Sequence, residues 1–155
     1  MIFKKYDNSV IENVNEYVKN FIKENPYCKI YVGCDSQKYR KTINYACTIV
    51  LHVIDKYDVG HGAHVLIYSE KSTDPKYKDK FTRLWKEAEL SIKAAELIKD
   101  CGKSITIHLD YNSNEKFYSN IVYKSAMGYV AGLGFDVKGK PDAWSASYTA
   151  DSFVR

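Results

Sequence analysis

The chain has 155 residues, 45% of them hydrophobic and 27% charged, which is typical of one globular domain and excludes a disordered protein. Its net charge of +4 is too small to identify a partner. The length predicts a single domain over residues 1–155. Because the sequence has no apolar run of about 20 residues and no signal peptide, we expect the protein in the cytoplasm and not in a membrane. The cysteines form no C-x-x-C pair and are expected to be reduced core residues, namely Cys28, Cys34, Cys47 and Cys101.

The first half of the chain has the hydrophobic pattern of a helix followed by three strands. Apolar residues at helical spacing cover residues 9–24, and Asn25-Pro26 ends this helix. The strands are expected at residues 29–34, 42–54 and 64–69. One face of the second strand is apolar and comprises Ile43, Tyr45, Cys47, Ile49, Leu51 and Val53. The short connections between the three strands predict a meander.

The second half alternates helices with strands. A helical stripe over residues 80–100 is followed by Gly102, a residue that favours the end of a helix. The remaining elements are expected as a strand at 104–109, a helix at 115–131, a strand at 135–138 and a terminal helix at 147–155. No repeat or linker divides the chain, so the pattern predicts one α/β domain.

Two of the predicted strands end in an aspartate, Asp35 and Asp110. Ligands gather beyond the carboxyl ends of neighbouring strands, so these acids face each other if their strands are adjacent. Two carboxylates about 4 Å apart repel by roughly 4 kcal/mol at an effective dielectric constant near 20. A hard divalent cation, above all Mg²⁺, would neutralise them. The alternative is that each aspartate only caps the turn after its strand.

The helix over residues 80–100 offers two candidates for a third carboxylate. Glu87 falls beside Ala94 and Ile98 at one border of the apolar stripe, whereas Glu89 falls on the other border. We favour Glu87. A solvated glutamate that pairs with a neighbouring lysine is the alternative for both, and it is the better interpretation of Glu89.

The order of elements and acids resembles the ribonuclease H superfamily. Four segments are similar to the YkuK family of ribonuclease H-like proteins: YVGCDSQ (31–37), KEAELS (86–91), LDYNSN (109–114) and KPDAWSASYTADSFVR (140–155). The resemblance implies a five-stranded mixed sheet flanked by helices, with an extra N-terminal helix. It also implies two Mg²⁺ or Mn²⁺ ions held by Asp35, Glu87, Asp110 and Asp151. Asp142 ranks second to Asp151, because an aspartate after proline more often starts a helix.

Other residues near these acids could bind substrate. Lys38, Arg40 and Lys41 could contact phosphates, although solubility alone would also place lysines in an exposed loop. Asn112 could reach substrate, or cap the following helix together with Asn114. Trp144, Tyr111 and Tyr148 could stack on bases, and packing in the core is the alternative for each. His61 and His64 are interpreted as a solvated hairpin tip. The superfamily's histidine in the last loop is missing here, and Lys138 or Lys140 could serve instead.

These observations predict a metal-dependent endonuclease that hydrolyses phosphodiester bonds in RNA, DNA or a hybrid, with water as the nucleophile. Nucleic acid is the expected partner, and a homodimer like that of the superfamily's junction resolvases is compatible with the sequence. The main alternative is a non-catalytic nucleic-acid-binding module of the same fold. A kinase of the related actin-like fold is disfavoured, because no glycine-rich phosphate loop lies near Asp35.

Overall fold

A computed structural model describes residues 1–112 and 120–155 of the chain. The strands are β1 (Phe3–Lys4), β2 (Val10–Ile11), β3 (Lys29–Tyr39), β4 (Thr42–Ile54), β5 (Gly60–Ser72), β6 (Ile105–Asn112) and β7 (Asp136–Lys140). The helices are α1 (Val14–Glu24), α2 (Lys80–Leu97), α3 (Asn120–Gly132) and α4 (Asp151–Val154). Short 3₁₀ turns cover Pro75–Lys78 and Lys99–Cys101, and a π-helical segment, Ser145–Ala150, leads directly into α4.

The strands form one mixed sheet in the order β2-β1-β5-β4-β3-β6-β7. Strands β3, β4 and β5 pair antiparallel, which confirms the predicted meander, and β6 and β7 run parallel to β3. The sheet has seven described strands instead of the predicted five, because the short strands β1 and β2 pair with each other at the N-terminus. For the same reason α1 begins at Val14 and not at residue 9, with the side chain of Asn13 capping it.

The sequence pattern predicted that strand β3 ends before Asp35. This prediction was wrong, because the strand continues past that residue. Its pairing with β4 continues through Asp35 to Tyr39, opposite Thr42. Its parallel pairing with β6 is much shorter and ends where Gly33 lies opposite His108. Beyond that pair β3 and β6 are no longer hydrogen-bonded to each other, although both strands continue. The two predicted acids, Asp35 and Asp110, each lie two residues past this point of separation.

The two faces of the sheet are covered by different helices. Helix α2 packs on the face formed by the predicted apolar residues of β4, which are buried from Ile43 to Leu51. A bulge between His52 and Ile54 then places Ile54 in the core instead of the predicted Val53. The π-helical segment and α4 pack on the opposite face, against β3 and β4. All four cysteines are buried and free, as predicted.

Several element ends differ from the sequence prediction. Helix α2 stops at Leu97 and is followed by a 3₁₀ turn, after which Gly102 has a left-handed φ of 84°. The predicted terminal helix is divided between the π-helical segment and α4. Residues 115–119 of the predicted helix 115–131, and the proposed cap Asn114, lie outside the described residues. In the described ranges, no helix is both long enough and apolar enough to span a membrane.

Candidate metal centre

Asp35 and Asp110 project from the same face of the sheet. Side chains alternate along a strand, so Asp35 shares a face with Gly33, and Asp110 shares one with His108. Because Gly33 and His108 are register partners, both acids stand on the side covered by the π-helical segment and α4. The predicted proximity of the two aspartates therefore follows from the parallel pairing of β3 with β6.

The carboxyl group of Asp35 has a strongly raised pKa. Burial raises the pKa of its carboxyl group from 3.8 to about 7, and the charges of Asp110 and Asp151 add to that rise. A hydrogen bond with Asp151 acts in the same direction, whereas the backbone N–H of Ser36 lowers the pKa. The negative charge of Asp35 is thus disfavoured by burial and by the neighbouring acids, and only a backbone N–H offsets part of this effect.

Asp151 reaches this site because it is the first residue of α4, directly after the π-helical segment. Its carboxyl group is close enough to Asp35 to raise the pKa of that residue, and it forms an ion pair with Arg155, one turn later. Asp142, the second candidate for this position, is exposed in the turn after β7. Its negative charge acts on the pKa of His108, in the direction that raises it. The structure therefore brings Asp151 to the other acids.

Glu87 approaches the strands from the opposite face, where α2 packs. Its side chain is only 4% exposed, and the hydroxyl of Ser36 donates a hydrogen bond of 2.5 Å to its Oε1. Burial raises the pKa of Glu87 well above its ordinary value, with further contributions from the charges of Asp35 and Asp110. Glu89, in contrast, is exposed and pairs with Lys93 at 3.0 Å, which lowers its pKa. Of the two glutamates, Glu87 is the one that joins the aspartates.

Asp110 is held by two side chains from the C-terminal part of the chain. The hydroxyl of Ser147 donates to Oδ1 at 2.6 Å, and Lys140 Nζ lies 2.8 Å from the same oxygen. Sequence reasoning did not identify Ser147 or Ser36 as site residues. Ser36 directly follows Asp35, and Ser147 lies in the segment that resembles the YkuK family. These two positions in the sequence were the only indication that either serine belongs to the site.

The donor set fits a hard divalent cation. All four side chains offer carboxylate oxygens, the ligands that Mg²⁺ and Mn²⁺ prefer, and burial together with the neighbouring acids raises the pKa of Asp35 and of Glu87. Within residues 1–112 and 120–155, however, no three potential ligands already lie close enough together to hold an ion. Lys140 and Arg155 instead supply positive charge to Asp110 and Asp151. The charges of the four acids affect one another, but among the described residues the acids do not surround a common point closely enough to bind an ion.

The predicted substrate-binding residues fall into different surroundings. Lys38 and Arg40 are exposed at the β3–β4 turn, and Lys138 is exposed on β7. Trp144 packs edge-on against Tyr31 at 4.8 Å between ring centroids and also contacts His108, so it belongs to an aromatic cluster. The backbone of Asn112 pairs with Lys140, but its side chain lies outside the described part of the structure.

Two histidines are structural in this arrangement. His108 is buried, its Nδ1 accepts a hydrogen bond of 3.1 Å from the backbone N–H of Ser145, and burial lowers its pKa to about 4. His64 does not belong to a solvated hairpin tip as predicted. Its ring stacks against the rings of Tyr17 and Phe21 of α1, and the hydroxyl oxygen of Tyr17 lies 2.6 Å from the Nε2 atom of His64. Only His61 of that pair is exposed, where it contacts Asp55.

Comparison with known proteins identifies a family. A family model described as Ribonuclease H-like matches residues 9–155, which is nearly the whole chain. No curated protein matches the sequence. The mixed sheet with its meander and the flanking helices agree with this family match. The chain therefore belongs to the ribonuclease H-like family.

Proposed function

We propose that this protein is a divalent-metal-dependent nuclease that hydrolyses phosphodiester bonds in RNA, DNA or an RNA/DNA hybrid. The observation that carries the proposal is the electrostatic coupling of Asp35 with Glu87, Asp110 and Asp151 at the point where β3 and β6 separate. Membership of the ribonuclease H-like family supports it independently. The finer resemblance to the YkuK family and the cytoplasmic location stay predictions.

The four carboxylates would hold two Mg²⁺ or Mn²⁺ ions, with Asp35 shared between them, Glu87 and Asp110 at one ion and Asp151 at the other. Such a pair of ions activates the attacking water and stabilises the leaving oxygen. Asp35 suits the shared position because its charge is coupled to acids on both faces of the sheet.

Neighbouring side chains prepare the acids for this role. Ser36 fixes the carboxylate of Glu87, and Ser147 fixes that of Asp110, so each acid keeps one oxygen oriented by a hydroxyl. Lys140 now pairs with Asp110. If a cation held that carboxylate, the ammonium group of Lys140 would be free to contact a phosphate of the substrate.

The alternative function is a nucleic-acid-binding module that cleaves nothing. Cleavage assays on labelled single strands, duplexes, hybrids and junctions, with Mg²⁺, Mn²⁺ or EDTA, separate the two. We expect cleavage with Mg²⁺ or Mn²⁺ only. The Asp35→Asn variant should lose it while keeping its fold and its nucleic-acid affinity, and Asp136→Asn, which changes an exposed aspartate on β7, should behave as wild type. Binding without cleavage under every condition would establish the module instead.

A further inference from the structure

The strand that carries Asp35 continues into an exposed hairpin tip. Residues Lys38–Lys41 form this tip, in which Tyr39 pairs with Thr42 and the turn consists of Arg40 and Lys41. Tyr39 is 63% exposed, a large fraction for an aromatic side chain, and the guanidinium carbon of Arg40 lies 5.3 Å from the centre of its ring. The tip therefore presents an aromatic face together with three cations.

Tyr39 is aligned with the proposed metal centre. It lies four residues after Asp35 on the same strand, so alternation places both side chains on one face of the sheet. At about 3.3 Å per residue the two residues are about 13 Å apart along the strand. At the rise of duplex DNA, about 3.4 Å per nucleotide of one strand, this distance corresponds to at most about four nucleotides. One strand could therefore contact both residues at once.

The charge of the tip is available to a polyanion. Among the described residues, Lys38, Arg40 and Lys41 form no ion pair with a carboxylate. Arg40 also occupies the left-handed region with a φ of 55°, where glycine would be free of strain. An arginine at this position costs the fold some stability, so a role for its side chain outside the fold is the simplest explanation.

The other long hairpin of the sheet, between β4 and β5, provides an internal comparison. Its Tyr57 is 75% exposed, and Lys56 lies over the ring at 5.0 Å. Its acids Asp55 and Asp58, however, pair with His61 and Lys29. That tip lies at the opposite end of the β4 strand from Tyr39, so it has the same aromatic–cation pair without excess positive charge or proximity to Asp35.

We propose that the Lys38–Lys41 tip is an anchor for single-stranded nucleic acid: a base of an unpaired strand stacks on Tyr39 while the three cations contact its phosphates. Stacking on an exposed ring requires a base face that a duplex keeps covered, so Tyr39 favours unpaired strands, and the phosphate contacts add affinity without regard to sequence. This inference rests on the proposed nuclease function and names its substrate class, an unpaired strand or a substrate with an unpaired tail.

The test measures binding of fluorescein-labelled single-stranded RNA and DNA, and of a blunt duplex, by anisotropy in EDTA. We expect Tyr39→Ala to weaken single-strand binding about tenfold and duplex binding by less than about twofold. Tyr39→Phe should retain the affinity, because the ring is kept, and Tyr57→Ala should bind as wild type. Arg40→Gly should also weaken binding, with a free energy of unfolding equal to or above that of the wild type.

Several outcomes would overturn the anchor. These are wild-type binding by Tyr39→Ala, an equal loss in Tyr57→Ala, or an equal loss on the duplex. Because binding is measured in EDTA, the result does not depend on cleavage. Tyr39-dependent binding by a protein that cleaves nothing would remove the nuclease proposal and leave the anchor. Cleavage that requires Asp35, with no effect of Tyr39→Ala on binding, would remove the anchor and leave the nuclease.

Discussion

The raised pKa of Asp35 predicts how the stability of the metal-free protein depends on pH. Between about pH 4 and pH 7 the folded state keeps a proton on Asp35 that the unfolded state has lost, because the folded pKa is about 7 and the ordinary value 3.8. The free energy of unfolding therefore falls as pH rises through this window. At about 1.36 kcal/mol per pH unit, the total loss from Asp35 is about 4 kcal/mol above pH 7.

Asp35→Asn removes this penalty, since the amide cannot ionise. We expect the metal-free variant to unfold at the same urea concentration as wild type near pH 4 and to be more stable by up to about 4 kcal/mol at pH 8. Glu87 contributes to the pH dependence of both proteins in the same direction, and because the charge of Asp35 raises its pKa, the difference between the proteins includes that interaction. The assay is urea unfolding followed by tryptophan fluorescence.

Asp136→Asn is the matched control for the urea experiment, because it also changes an aspartate to asparagine but lies exposed on β7. Its stability should follow that of the wild type at every pH. Equal stability of wild type and Asp35→Asn at pH 8 would refute the reasoning. A variant that is less stable by the same amount at both pH values would do so as well, because the carboxylate would then serve the fold and not a cation.

Four further predictions concern the metal centre. Glu87→Gln should lower the cleavage rate far more than Glu89→Gln, as steady-state rates will show, and the reverse order would place the ligand on the exposed side of α2. Magnesium should raise the melting temperature of the wild type in step with concentration, and it should add about 2.7 kcal/mol to the free energy of unfolding at a hundred times its Kd. Calcium should also stabilise while supporting little or no cleavage, because its looser coordination does not align water and phosphate. The double variant Asp35→Asn with Asp110→Asn should melt, without metal, at or above the wild type and lose most of its response to magnesium, and an undiminished response would locate the ion elsewhere.

Local sequence patterns predicted the features that depend on one element at a time. The 3.6-residue period separated Glu87 from Glu89, and α2 buries the first and exposes the second. Alternation in β4 likewise identified the face that packs against α2, up to the bulge after His52, although the opposite face is also buried at Ala46, Thr48 and Val50. Such periodicities reflect which side of a single helix or strand meets the core, so they can be read without knowing its neighbours.

Features that depend on pairing between distant segments were less predictable. The end of β3 was placed at Cys34 because the apolar run stops there, yet pairing with β4 carries the strand on to Tyr39. The two short strands at the N-terminus are stabilised by each other and by a single pairing with β5, which no local pattern reveals. The local sequence predicts a solvated turn at His64 because its partners, Tyr17 and Phe21, are far from it in sequence and their contacts form only in the folded chain.

The candidate site also combines residues that a local pattern predicts with contacts that depend on the whole fold. The resemblance supplied the acids, and the fold explains their proximity only through the parallel pairing of β3 with β6, an arrangement that depends on the whole topology. The supporting hydroxyls of Ser36 and Ser147 became visible only in three dimensions, since serine is common and neither position breaks a pattern. The ion pairs of Lys140 and Arg155 with two of the acids were also not predicted.

The central claim is that Asp35, Glu87, Asp110 and Asp151 form one divalent-cation site. Anomalous diffraction from crystals soaked in Mn²⁺ tests it most directly, with crystals of the Asp35→Asn and Asp110→Asn double variant as the control. We predict anomalous peaks in contact with Asp35 in the wild type, with Asp110 and Asp151 turned from Lys140 and Arg155 toward the ions, and no such peaks in the variant. Peaks bound elsewhere, or wild-type crystals in which both ion pairs persist at saturating Mn²⁺, would contradict the account.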